Sequence, residues 1–180
     1  MKQHQSLARR CAAVVTTAAL VVGASSLLAP AEAKAKKKPL KGNVSGTVML
    51  DCLVPAFDAP FEYEAQIKLT GKRAKKSTKK ATLQATFSDM PPVAPVPMNN
   101  LEMSATLKLT AGGTKATLKG KKAVSAESGA PVPVPPVKGS VNNKSNSLPI
   151  VISSLDLEVM GIEINCVPAE SGALGTLKLK

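Results

Sequence analysis

The chain has no tryptophan, one tyrosine, three phenylalanines and one histidine in 180 residues. Each shortage removes a class of chemistry. With aromatics at 2%, the stacking platforms that hold single-stranded nucleic acid are largely missing, and so are those that hold sugar rings. The lone histidine is His4, inside a segment expected to be removed. The mature chain therefore builds neither a Ser-His-Asp nor a Cys-His nucleophile, and zinc loses its commonest nitrogen ligand. Cysteine is scarce too, and no Cys-x-x-Cys pair occurs. A convincing helical stripe is also absent: apolar residues recur at period two.

What is present starts with an export signal. Lys2, Arg9 and Arg10 precede apolar Ala12 to Ala29, and Ala31-Glu32-Ala33 forms a small-x-small cleavage site, so residues 1–33 read as a signal peptide. A retained anchor is the competing reading, because the apolar run approaches the roughly 17 to 25 residues that span a bilayer. The Ala-x-Ala site and the Thr, Ser and Gly content favour removal. Arg9-Arg10 raises twin-arginine export, although its surroundings match poorly. Cys11 follows Arg10, where a lipoprotein signal wants a small residue. Export leaves Cys52 and Cys166 in an oxidising compartment, where a disulfide is expected. Closing so long a loop contributes roughly 4 to 5 kcal/mol by the chain-entropy argument.

The formal charge is +12, from 24 basic and 12 acidic residues. The signal holds three basic residues and Glu32, so its removal leaves about +10. Such a chain is drawn to polyanions, including wall polymers, acidic lipid heads and nucleic acid. Residues 34–42 are too charged to pack and read as a flexible basic arm, ahead of a single domain over 43–180.

Within that domain the pattern is all-β. Phe61, Tyr63, Ala65, Ile67 and Leu69 alternate with Glu62, Glu64, Gln66 and Lys68. Similar strands are expected from Val44 to Val54, from Ala81 to Phe87, from Leu101 to Leu109, from Thr114 to Lys119 and from Leu174 to Lys180. Ala65–Thr70 and Ala105–Thr110 echo one another. The stretch Leu155 to Cys166 folds into a hairpin about Met160-Gly161. It places Val159 opposite Ile162, Leu157 opposite Ile164 and Leu155 opposite Cys166. The other face then opposes Glu158 to Glu163, which calls for a lysine on the next strand. The proline-rich segments Met90–Pro97 and Ala130–Val137 cannot enter central strands and are expected to be extended crossings from one sheet to the other or edge strands, a polyproline ligand for a partner domain being the functional alternative. Short strands, regular turns and a cystine joining early to late chain suggest an immunoglobulin-like Greek-key β-sandwich of roughly seven to nine strands. The immunoglobulin core tryptophan is missing.

The candidate site is basic. Lys68, Lys72, Arg73, Lys75, Lys76, Lys79 and Lys80 are expected in and around one hairpin loop, with Lys115, Lys119, Lys121 and Lys122 in a second cluster. If the two hairpins lie side by side, they make one positive end suited to anionic wall polymers or lipid head groups. The plainer account is solubility. A carboxylate-dependent hydrolase is the remote alternative, since Asp51, Asp58, Glu62, Glu64, Asp89 and Glu102 form no local signature.

Cys52-Leu-Val-Pro55 and Gly161-Ile-Glu-Ile-Asn-Cys-Val-Pro168, with Gly172 and Leu177-Lys-Leu179, resemble a family of secreted actinobacterial β-sandwich domains of unknown function. In that family a Cys-x-x-Pro strand near the start is tied to a Cys-x-Pro strand near the end. The resemblance covers residues 44–180 and implies a cell-surface domain without catalytic residues; only the cysteines carry over. The expectation is thus a secreted, non-enzymatic envelope or extracellular protein with a structural or adhesive role, and with no cofactor, metal or specific nucleic-acid partner. The alternative is a binding module for anionic wall polymers or lipids.

Overall fold

The computed structural model describes residues 38–92, 94 and 96–180; the expected signal peptide and residues 34–37 of the arm lie outside the described residues. Nine antiparallel strands follow in order: β1 (Leu40–Val54), β2 (Ala59–Arg73), β3 (Lys80–Phe87), β4 (Met98–Ala111), β5 (Thr114–Ala126), β6 (Val137–Asn142), β7 (Ser147–Val159), β8 (Ile162–Pro168) and β9 (Ala173–Lys178). The arm is shorter than expected. Leu40, Lys41 and Gly42 pair with Arg73, Lys72 and Gly71, because Leu40 has apolar surface to bury beside β2. The expected 155–166 hairpin holds in every pair, with Met160 and Gly161 at positive φ in the turn. β6 was not expected, since its six residues sit between a proline run and an asparagine-rich turn.

Where a sandwich would have two separate sheets, the structure has one continuous ladder in the order β4-β5-β6-β3-β2-β1-β8-β7-β9, and β4 also pairs with β7. The sheet therefore closes. A walk across it shows this: Gly42, Gly71, Leu83 and Gly139 stand side by side on β1, β2, β3 and β6. The walk continues through Leu118, Leu107 and Leu155 on β5, β4 and β7. It then crosses Cys166 on β8 and returns to β1 at Cys52, ten residues beyond Gly42. That offset is the stagger of a closed eight-stave barrel. β8 and β9 both pair with β7 and together act as one interrupted stave.

The core follows from alternation. Leu50, Ile67, Leu69, Leu83, Leu107, Leu118 and Leu155 point inward and are almost wholly buried, as is Tyr63. β9 comes unusually close to β1. A Cβ at Gly42 would stand 2.0 Å from the Lys178 carbonyl oxygen, so only glycine allows this approach.

The Cys52–Cys166 disulfide forms as expected, between directly opposed residues on β1 and β8. It sits at a short seam: only Leu50 to Leu53 pair with β8, whereas fifteen residues of β1 pair with β2. The covalent bond supports ring closure where the ladder is thin.

The two ends of the barrel close differently. At one end the proline-rich segments are connections outside the nine strands, as expected, but with a single sheet they do not cross between two; they pair through Met90 and Val132, whose backbones exchange hydrogen bonds of 2.9 and 3.1 Å. Met90, Met98, Val132 and Val134 join the apolar core there. At the other end the closure is polar and centres on Arg73.

A basic end and a polar trough

Arg73 and Lys72 are adjacent, and the pleat of β2 sends them to opposite faces. Arg73 points inward and is fully buried. Its Nη1 donates to Lys144 O at 3.0 Å and Asn146 Oδ1 at 2.7 Å, and its Nη2 donates to Asn143 O at 2.6 Å and Ser145 O at 2.8 Å. Only Nε lacks a partner. The guanidinium fork thus organises the whole β6–β7 loop. The expectation that Arg73 binds external polyanions is corrected here: it faces the interior because β2 runs three residues further than the period-two reading allowed. Asn143 extends this closure, its Nδ2 donating to Ala111 O and Gly112 O in the β4–β5 turn.

The exposed cations sort by position. Lys72, Lys75, Lys76, Lys79 and Lys80 surround the β2–β3 loop, as expected, and other strands and loops add Lys41, Lys115, Lys144, Lys178 and Lys180 to the same end. No aspartate or glutamate occurs in residues 38–47, 66–86, 106–119, 136–155 or 171–180, which build this end. The acids Asp51, Asp58, Glu62, Glu64, Asp89, Glu127, Glu158 and Glu163 belong to the opposite half. Like charges even face one another: Lys41 opposes Lys72 at the basic end and Lys119 opposes Lys138 at mid-barrel, while Asp51 opposes Glu62 and Glu158 opposes Glu163 in the acidic half.

The second predicted cluster divides. Lys115 lies at the basic end and Lys119 faces Lys138 at mid-barrel, but Lys121 and Lys122 lie towards the acidic end of β5. Lys121 donates to Glu102 at 3.0 Å, and that carboxylate holds its ammonium above the ordinary lysine range. The two hairpins are not adjacent, because β6 separates β3 from β5. On the acidic face of β7–β8, Lys108 of β4 meets Asp156 at 2.9 Å, whereas the opposed Glu158 and Glu163, for which a lysine was expected, form no ion pair among the described residues. Lys108–Asp156 and Lys121–Glu102 are the ion pairs among the described residues.

Beside the basic end lies a feature that lysine counting missed. Two abutting depressions, of about 440 and 540 Å³, run along the outer face of β1, β2 and β3. β1 contributes Lys41, Asn43, Ser45 and Thr47. Opposite them on β2 stand Lys72, Thr70, Lys68 and Gln66. On β3, Thr82, Gln84 and Thr86 continue the rows, and Ser88 just beyond them bonds Gln66 N through its Oγ at 3.1 Å. The twelve positions hold three lysines, nine hydroxyls or amides, and no carboxylate or apolar side chain. Behind them, Gly71 leaves room for Leu177 of β9, whose Cδ2 lies 2.7 Å from where a Cβ would be. The outward alternation over residues 41–47, 66–72 and 82–88, all hydroxyl, amide or lysine, was the available signal.

The trough's outward side chains are lysines, hydroxyls and amides, with no histidine, cysteine or carboxylate among them. Among the described residues no group of three or more His, Cys, Asp or Glu side chains could hold a metal. Of the carboxylates weighed in the sequence, Asp51 opposes Glu62 and Glu64 follows on the same face of β2, Glu102 is on β4, and Asp58 and Asp89 are in connections; none lies among the twelve trough positions. No described helix is long and apolar enough to cross a membrane. Family models, curated proteins and solved structures give no match to the chain.

Proposed function

We propose that this is an exported, non-enzymatic binding module that attaches to anionic polymers of the cell envelope through its basic end and the adjoining trough. The carrying observation is the sorting of charge. Lysines that served only solubility need not gather at one end, because solubility depends on net charge rather than its placement. Here they gather where no carboxylate answers them, and Lys41 and Lys72 stand opposed at a cost of a few tenths to about 1 kcal/mol. A bound polyanion relieves that repulsion.

The structural or adhesive role expected from the sequence is compatible with this reading, attachment to the envelope being its molecular form. Export and envelope location rest on the signal-like start of the sequence and on the resemblance to secreted actinobacterial domains. The Cys52–Cys166 bridge supports an oxidising compartment. The order β3-β6-β5-β4 favours the Greek-key part of the expected architecture. The immunoglobulin-like part draws no support from a ladder that closes on itself.

The test is a pull-down of residues 34–180 on purified envelope material across a salt series. Binding should weaken steeply between about 50 and 500 mM salt, as exposed charges are screened. It should fall further when Lys72, Lys75, Lys76 and Lys80 become glutamine. Binding indifferent to both salt and substitution would refute the proposal.

A further inference from the structure

The trough differs from the rest of the basic end in a way that charge alone does not require. We infer that it seats a linear polyol-phosphate chain, a polymer of hydroxyl-bearing units joined by phosphodiesters; this inference rests on the polyanion reading above. Three observations lead to it. First, its cations are lysines, compact point charges that suit a phosphate, while Arg73, whose fork would match a planar carboxylate, is turned inward and fully engaged. Second, Lys68 and Lys72 lie four residues apart on one face of β2, roughly 13 Å at about 3.3 Å per residue. Between them come neutral donors and acceptors: Thr70, flanked by Asn43 and Gln84 in the same row. A bare string of charges would leave these groups unused, whereas spaced phosphates with hydroxyls between them would use both kinds. Third, no aromatic side chain belongs to the twelve outward positions, and among the described residues the half-buried Phe87 is the one aromatic lining the depressions; a single ring is a poor stacking platform, which suits flexible polyol units.

The seat is ready for exchange. Thr70 Oγ1 donates to Gln84 O across a long 3.4 Å at an exposed position, a bond readily traded for a ligand hydroxyl. The chain would run along the strands, from the Lys41–Lys72 pair past Thr70 to Lys68.

Titration calorimetry with two probes of matched length, poly(glycerol phosphate) and inorganic polyphosphate, tests this. The proteins are the wild type and the double variant Thr70→Val with Gln84→Met, with Asn43→Ala as an independent second variant. All three positions are exposed or half-buried on the outer face, so unchanged unfolding midpoints serve as the folding control. The expected result is about a tenfold loss of affinity for poly(glycerol phosphate) in the double variant, the effect of one or two neutral hydrogen bonds, with polyphosphate affinity unchanged. Equal losses on both polymers, or no loss on either, would overturn the polyol assignment and leave polyanion binding standing. A wild type that binds neither polymer would overturn both.

Discussion

The two ends of the barrel have the same task, covering the open rim of a closed sheet, and they do it with opposite chemistry. One end is covered by proline-rich chain that drops Met90, Val132 and Val134 onto the apolar core. The other is covered by a loop of backbone carbonyls gathered around a buried guanidinium. The difference has a consequence for function. A buried arginine is usually matched with a carboxylate, but here three carbonyls and an amide share its protons. Stability is thus obtained at the basic end without adding an acid. The exposed lysines around it keep an uninterrupted positive field, while the apolar end carries most of the acids.

Breaking the ring seam, which both ends depend on, should have the largest effect. Cys52→Ser with Cys166→Ser should lower unfolding stability by about 4 to 5 kcal/mol in urea titration, because the bridge closes a 114-residue separation over a four-pair ladder. At the polar end, Arg73→Met should cost about 3 kcal/mol, taking the donor from four part-buried acceptors. Arg73→Lys should recover only part, since one ammonium cannot reach all four. Val132→Ala at the apolar end should cost about 1 to 3 kcal/mol through lost contacts alone. If the two substitutions respond alike to added salt, the claimed difference between polar and apolar closure is wrong.

The apolar end also has a pH signature. Tyr63 is buried and its hydroxyl donates to Ser88 O, at the start of the first proline-rich connection. Burial pushes its pKa up from 10.0 to about 12. Between those values the folded state holds the proton that the unfolded state has released, so stability is full below about pH 10 and falls as pH rises to about 12. The loss should be on the order of 2 to 3 kcal/mol, and absent in Tyr63→Phe, as followed by urea unfolding at each pH. The smallest effect belongs to the exposed cations: Lys72→Gln should change stability by no more than about 0.5 kcal/mol while weakening polymer binding. A large stability loss there would mean that Lys72 is structural, as Arg73 is.

Much of this was legible because strands repeat at period two. The alternation from Phe61 to Leu69 named the buried face of β2 correctly, and the Leu155–Cys166 hairpin was recovered pair for pair. Two cysteines in a chain whose start reads as an export signal were enough to indicate the bridge. What escaped was long-range. Closure depends on which distant strands become neighbours, and nothing local in β4 announces its pairing with β7. β6, squeezed between prolines and asparagines, offered too short an alternation to notice. Arg73 was missed because a basic run looks uniform until the pleat divides it: Lys72 outward, Arg73 inward. The trough was missed because hydroxyl and amide positions read as ordinary outer-face polarity until three strands align their rows.

The central claim is about location: the basic end and the β1–β2–β3 trough are where the polymer binds. Titrating ¹⁵N-labelled protein with poly(glycerol phosphate) and following amide shifts tests it most directly. Perturbations should concentrate at Lys41–Thr47, Gln66–Lys72, Thr82–Thr86 and the 74–79 loop, leaving Asp51, Glu62 and the Glu158–Glu163 pair unmoved. Shifts spread evenly over the barrel, or centred on the acidic half, would contradict the account.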